Sequence, residues 1–294
     1  METEEYLKNT LKKEGLNEKS DEMDAMQAEK INVEKAISAA FDGSPVIKYA
    51  GSCKKGTMVK SSYDLDITCY FKREDNSAGE TLEEIFNNVQ VALAKKYFIT
   101  PKRSALRLQS QDKKLDFHID VVPGRFVDET ETDCFLHQTT GDKERLKTNL
   151  DVHISHIKNS GLTKTIQLVK IWRNIFVLPV KTFVLELLVV KILDKNKDQD
   201  GLEKCLKIFF EQVATNIKNI ALKDPANSGN DLSPIFNETV KQNLSQAADR
   251  TMTLIKNDKW IDLFGPIEEE NREYTTTAVQ KVARSNGPTP WLSE

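Results

Sequence analysis

Gly51-Ser52, the pair Asp64 and Asp66, and Asp120 within Phe117-His118-Ile119-Asp120-Val121-Val122-Pro123 are the residues whose types and spacing could do chemistry. On a strand successive side chains alternate faces, so Asp64 and Asp66 point the same way while Leu65 turns into the core. Two carboxylates on one face can share a divalent cation, and Asp120, flanked by apolar residues on a second strand, supplies a third. Magnesium prefers carboxylate, phosphate and water oxygens, and a bound ion both neutralises a triphosphate and lowers the pKa of an attacking hydroxyl. In a Gly-Ser turn the glycine permits a strained φ and close backbone approach, while the serine hydroxyl and backbone amides can hold phosphate oxygens. The chemistry this points to is nucleotidyl transfer from a nucleoside triphosphate, dependent on Mg2+ or Mn2+.

An internal control bears on the motif. Asp198-Gln199-Asp200 is also D-x-D, but it sits in the polar run 194–201 with no upstream Gly-Ser and no strand, so the bare pattern is weak. Context raises Asp64 and Asp66: an apolar-rich strand over 64–71, a preceding strand over 46–50, and the turn between them.

The elements that must position these residues can be read along the chain. A helix is predicted over 20–41, capped by Ser20 or Asp21, with Met26, Val33, Ile37 and Ala40 near helical spacing. Thr81-Leu82-Glu83-Glu84 forms a capping box opening a helix to about Tyr97, and strands are expected at 104–109 and 115–122. From Thr148-Asn149 onward the pattern turns helical, with helices at 150–158, 164–176, 181–193, 202–217 and 237–257. The expected fold class is α+β: a mixed β-sheet nucleotidyltransferase core with a long N-terminal helix, packed on a C-terminal helical domain. The expected division is a catalytic core over 1–150, a helical nucleotide-binding domain over 151–267, and a polar tail over 268–294 with room for a short helix at 276–282.

Composition sets bounds. The chain has 294 residues, 42 Lys and Arg against 45 Asp and Glu, and a formal charge of −3, so no overall basic field exists to hold long nucleic acid tightly. Cys53, Cys69, Cys134 and Cys205 show no C-x-x-C pairing. The acidic start Met1-Glu2-Thr3-Glu4-Glu5 has neither the apolar core of a signal peptide nor the basic character of a transit peptide, and 183–190 is too short to span a bilayer. The expectation is a cytoplasmic protein without a membrane partner.

Gly51-Ser52-Cys53-Lys54-Lys55-Gly56-Thr57, Asp64-Leu65-Asp66 and Asp120-Val121-Val122-Pro123 together resemble the polymerase-β-like nucleotidyltransferase superfamily. Three helical-half runs, Thr165 to Trp172, Lys181 to Leu188 and Asp224-Pro225-Ala226-Asn227, look like its oligoadenylate synthase branch, which includes cyclic GMP-AMP synthase and the bacterial enzymes of anti-phage signalling. The resemblance spans roughly residues 20–265. It implies that Asp64, Asp66 and Asp120 bind metal, that Gly51 and Ser52 hold the donor triphosphate, and that Lys170 meets the β- and γ-phosphates. It implies a phosphate-side place for Thr182, where many relatives carry serine or glutamine, and a base-stacking place for Phe183, where tyrosine is common.

Several residues carry two readings from chemistry alone. Lys170, on a helix otherwise presenting Ile166, Val169 and Ile171, needs water, a phosphate or a snorkelling path for its ammonium. Glu186, amid 183–190, reads as a partner for a buried donor rather than a base. His153 and His156 lie three apart without an evident third ligand and read as structural, while His118 either borders the site or is an ordinary strand histidine. Lys102, Arg103 and Arg107 either meet an acceptor nucleotide or form a solvated face.

The resemblance implies synthesis of a cyclic or short linear oligonucleotide messenger in bacterial anti-phage defence, its product read by effector proteins encoded elsewhere. A competing enzyme reading is nucleotide addition to RNA 3′ ends, as in CCA-adding relatives. A reading from another class is an inactive nucleotide-binding scaffold, which the presence of all three carboxylates disfavours.

Overall fold

The computed structural model describes residues 2–16, 20–42, 44–112, 114–141 and 143–267. The polar tail over 268–294 and the short helix expected at 276–282 lie outside the described residues. The elements run α1 (Thr3–Glu14), α2 (Asp21–Ala40), β1 (Val46–Tyr49), α3 (Gly51–Lys55), β2 (Asp64–Phe71), α4 (Leu82–Ala94), β3 (Tyr97–Pro101), β4 (Leu106–Ser110), β5 (His118–Phe126), β6 (Cys134–His137) and β7 (Arg145–Thr148). Helices α5 (Leu150–Lys158), α6 (Thr163–Ile175), α7 (Thr182–Ile192), α8 (Leu202–Asn216), α9 (Glu238–Lys256) and α10 (Trp260–Phe264) follow. This is the mixed α/β arrangement expected, with every strand ahead of α5 and helices alone from α5 onward among the described residues.

The sheet has the order β1-β2-β5-β4-β3. Strands β2 and β5 are parallel, the other pairs antiparallel, and β6 with β7 forms a ribbon carried by the far end of β5. Alternation along β2 sends Leu65, Ile67, Cys69 and Phe71 into one core, where they meet Met26, Val33 and Ile37 of α2 and Ile85, Phe86, Val89 and Leu93 of α4. The opposite face carries Asp64, Asp66, Thr68 and Tyr70, the last packed with Phe126, Cys134 and Leu136 of β5 and β6. A second core, built on Trp172, Leu185, Leu188, Phe209 and Phe210, holds α6 through α10 together and includes Tyr6 and Leu7 of α1. Trp172 is fully buried, and its indole Nε1 donates to Thr251 Oγ1 at 2.8 Å.

Local signals explain most boundaries. Ser20 accepts from the Met23 amide to cap α2, the Thr81/Glu84 capping box opens α4, and Asn149 and Asn237 cap α5 and α9. The structure departs from expectation in several places. Helix α4 stops at Ala94 rather than Tyr97, because Tyr97-Phe98-Ile99-Thr100 is a run of aromatic and β-branched residues that pairs with β4 as an edge strand. Strand β5 starts later and runs on to Phe126, through Pro123. Short strands β6 and β7, four residues each, carry too little pattern to be foreseen. Helix α1 was likewise not foreseen; it buries Tyr6, Leu7 and Thr10 and packs against α6 and α8, while the Tyr6 hydroxyl reaches the carbonyls of Trp260 and Gly265. No helix among the described residues is long and apolar enough to cross a membrane.

Candidate active site

The parallel pairing of β2 with β5 places the carboxylates. Asp66 is in register with Asp120, and Asp64 with His118, so all three aspartates emerge side by side on the face turned toward the helical half. His118 borders the site, in register with Asp64 across the β2–β5 pairing. Burial raises the Asp64 carboxyl, and the charge of Asp120 adds to this. Burial likewise pushes Asp66 up to about 7, with Asp64 and Asp120 contributing in the same direction and Lys55 and Lys170 opposing. Two desolvated carboxylates with a third in register beside them are the chemistry that a hard dication relieves, so the residues present fit magnesium or manganese. Among the described residues, no three His, Cys, Asp or Glu side chains are already gathered into a ligand set. Both Asp120 oxygens accept from Arg107, from Nε at 2.8 Å and Nη2 at 2.7 Å.

Gly51 is required by this geometry. Its φ is +57°, and a Cβ built there would stand 1.6 Å from Asp66 Oδ2, so the carboxylate lies over the glycine Cα. The turn continues directly into α3, whose last residue, Lys55, is buried and ion-paired to Glu186 of α7. Ser52 lies at the start of α3 and its carbonyl accepts from the Thr57 amide at 3.0 Å.

Behind that turn lies a buried polar knot. Lys170 Nζ on α6 donates to Thr57 O at 2.8 Å, to Thr57 Oγ1 at 3.2 Å and to Glu186 Oε1 at 3.1 Å, while Thr57 Oγ1 donates to Glu186 Oε1 at 2.8 Å. Glu186 is fully buried, and it is the structural partner for buried donors that its apolar setting suggested. Burial alone would raise its carboxyl, but Lys170 and Lys55 outweigh that and hold it below the usual range. Lys170 itself is pushed down by burial, against the pull of Glu186. It is therefore not a snorkelling surface lysine. All three of its ammonium donors are engaged, so direct contact with a phosphate requires exchanging one.

Thr182 opens α7 and is partly buried; Phe183 follows it, and its ring meets the His153 ring edge-on at a centroid distance of 5.2 Å. His153 bonds Asp224 at 2.7 Å, and Asp224 also accepts from the Ala226 amide and Asn230 Nδ2. His156 points elsewhere: it lines an open groove of about 720 Å³ along α5, with Asn149, Asp151, Ser155 and Pro225, which includes none of the three aspartates. Arg103 reaches Gln138 Oε1 at 3.3 Å, and its charge bears on Lys181.

Three basic residues near the carboxylates escaped the reading of candidate metal and phosphate groups. Arg107 was legible only as one of three possible acceptor contacts; its in-register place opposite Asp120 needs the β4–β5 pairing. Lys55 follows Ser52 by three positions, one helical turn, a spacing that becomes informative once α3 is known to be helical. Arg173 follows Lys170 by the same interval on α6; burial pushes its guanidinium down while Asp64 pulls it up. The second D-x-D does structural work instead: Asp198 accepts from the Lys164 amide at 2.7 Å, the Thr165 amide at 3.0 Å and Thr165 Oγ1 at 2.6 Å, closing the amino end of α6.

No protein-family model and no curated protein matches the chain in sequence. In three dimensions it resembles CdnC from Escherichia coli MS115-1 in its complex with HORMA-deltaN, with a TM-score of 0.70, 16% identity, and coverage of 90% of this chain and 98% of that one. It resembles the CD-NTase CdnG of Bradyrhizobium diazoefficiens bound to GTP, with a TM-score of 0.68 and 12% identity over 96% of this chain and 97% of the other. It also resembles the cyclic AMP-GMP synthase DncV of Vibrio cholerae with nonhydrolyzable GTP, at 0.62 and 17% over 89% and 84%. The chain therefore has the nucleotidyltransferase fold of the CD-NTases, the branch its motifs resemble.

Proposed function

We propose that this chain is a nucleotidyltransferase that joins nucleoside triphosphates into a cyclic or short linear oligonucleotide messenger. The observation that carries the reading is the in-register placement of Asp66 and Asp120 beside Asp64, over a Gly51-Ser52 turn that the Asp66 carboxylate itself requires to be glycine. Asp64, Asp66 and Asp120 would hold magnesium, or manganese in its place. When bound, the ion supplies charge neutralisation for the triphosphate and a lowered pKa for the acceptor hydroxyl.

The remaining work falls to the chain. Ser52 orients the triphosphate at the turn, and the positive charge of Lys170 and Lys55, held in place by Glu186, favours the pyrophosphate that leaves as the α-phosphorus is attacked in line. Asp120 accepts the proton of the attacking hydroxyl. Phe183, braced by His153, offers a ring face to the donor base, and Thr182 lies at the start of the same helix on the phosphate side. A second round, with the bound linear product's own hydroxyl attacking, would close a ring.

The fold neighbours support this class of product, since one is a cyclic AMP-GMP synthase. A role in anti-phage defence, a cytoplasmic location and effector proteins that read the product belong to the same proposal. The E. coli neighbour's complex with HORMA-deltaN supports control by a protein partner rather than by long nucleic acid. The test is incubation with ATP, GTP, CTP and UTP plus Mg2+ or Mn2+, then phosphatase and mass spectrometry, with tRNA as an alternative acceptor. A phosphatase-resistant oligonucleotide made without tRNA is expected. Nucleotide incorporation only into tRNA would replace this reading with RNA 3′-end addition, and triphosphate binding without any product in either arm would leave a scaffold.

A further inference from the structure

Arg107 and Asp120 face each other across the β4–β5 ladder, and the guanidinium holds both carboxylate oxygens in a two-pronged, charge-assisted contact. This is not a peripheral cross-strand pair like Lys147–Asp133 on the outer ribbon. Asp120 is the direct neighbour of Asp66, and the negative charges of Asp120, Asp64 and Asp66 all bear on the same guanidinium. Arg107 thus stands where positive charge is needed among three carboxylates.

A guanidinium and a divalent ion compete for the same lone pairs on Asp120. Arginine cannot yield by losing its proton at any physiological pH, so it must move. The Arg107 side chain is 31% exposed and has solvent to swing into, whereas that of Asp120, at 17%, has little freedom. We infer that Arg107 is a placeholder cation: in the metal-free chain it holds Asp120 out of the metal set, and divalent binding proceeds by exchange of Asp120 from guanidinium to ion. This rests on the nucleotidyl-transfer reading and makes Arg107 a positioning residue rather than a catalytic one.

The test is titration of the full chain with Mn2+ in the absence of nucleotide, free ion being read by electron paramagnetic resonance at fixed ionic strength. Arg107→Gln should bind Mn2+ roughly tenfold more tightly than the wild type, the scale of a lost charge-assisted hydrogen-bonded competitor. Arg107→Lys should fall between them, since an ammonium keeps the charge but cannot engage both oxygens. Asp120→Asn in the Arg107→Gln background should abolish the gain. Equal affinity of wild type and Arg107→Gln overturns the inference, and so does a gain that survives Asp120→Asn, which would be mere removal of a nearby positive charge. Loss of Mn2+ binding in Asp64→Asn or Asp66→Asn keeps the nucleotidyl-transfer reading in either case. Binding indifferent to both, or absent altogether, overturns that reading and the inference with it.

Discussion

Replacing Glu186 with glutamine should be among the most damaging single changes available in this chain, although no atom of substrate need touch it. The carboxylate is fully buried and answers two ammonium groups at once, Lys170 at 3.1 Å and Lys55 from the opposite oxygen, together with the Thr57 hydroxyl at 2.8 Å. Glutamine keeps one acceptor oxygen but turns an N–H pair toward one of the lysines and leaves both charges uncompensated. Breaking a buried charge cluster by removing one partner costs about 3–5 kcal/mol. In a protein of this size that corresponds to a fall in melting temperature of roughly 6–20 °C, taking about 2–4 °C per kcal/mol. Urea unfolding followed by circular dichroism measures it. Because Glu186 is held below its ordinary value of 4.5, its contribution is present above that pH and lost as pH falls through the folded-state value, so wild type and variant should converge in acid. The triple change Lys55→Met, Glu186→Leu, Lys170→Met should recover most of the stability, because an apolar set of similar volume has no desolvated charge to compensate. A Glu186→Gln protein within about 1 kcal/mol of wild type would refute the buried-cluster reasoning.

Gly51→Ala forces a Cβ into the Asp66 carboxylate at a left-handed φ, so it should cost about 1–2 kcal/mol of stability and, by displacing Asp66, about a hundredfold in product formation; normal turnover would mean that the turn tolerates a side chain. Asp198→Ala should lose about 1–2 kcal/mol through the uncapped end of α6 while leaving Mn2+ affinity unchanged, and a loss of metal binding would return that D-x-D to the site. With divalent ions chelated, Asp66, raised to about 7 from 3.8, contributes stability that is complete below about pH 4 and lost as pH rises through 7. Urea midpoints of wild type minus Asp66→Asn should therefore fall between pH 5 and pH 8, and added Mg2+ should restore the wild type at the higher pH. A flat difference would count against the crowding of the three carboxylates.

What the sequence disclosed and what it hid follow from range. Caps, period-two alternation over 64–71 and helical periodicity after residue 149 are local, and they place β2, α4 and the main helices within a few residues. The fold class follows from that order of elements. Glu186 was legible because a lone carboxylate in an apolar run must have a buried donor, though which donors depended on bringing α3, α6 and α7 together. Arg107 was not legible as the partner of Asp120, since thirteen residues and a strand reversal separate them and only register makes them neighbours. Helix α1 was hidden for the same reason: Tyr6 bonds Gly265 O at 2.6 Å, a contact that nothing near residue 6 announces.

The chemistry is tested most directly by following which phosphate species leaves when purified protein meets nucleoside triphosphates and Mg2+, beside Asp64→Asn, Asp66→Asn and Asp120→Asn. Attack at the α-phosphorus should release pyrophosphate, one for each phosphodiester found in the phosphatase-resistant product, and each substitution should abolish release while leaving the fold intact. Orthophosphate in place of pyrophosphate, or pyrophosphate release undiminished in the three variants, would contradict nucleotidyl transfer at these aspartates.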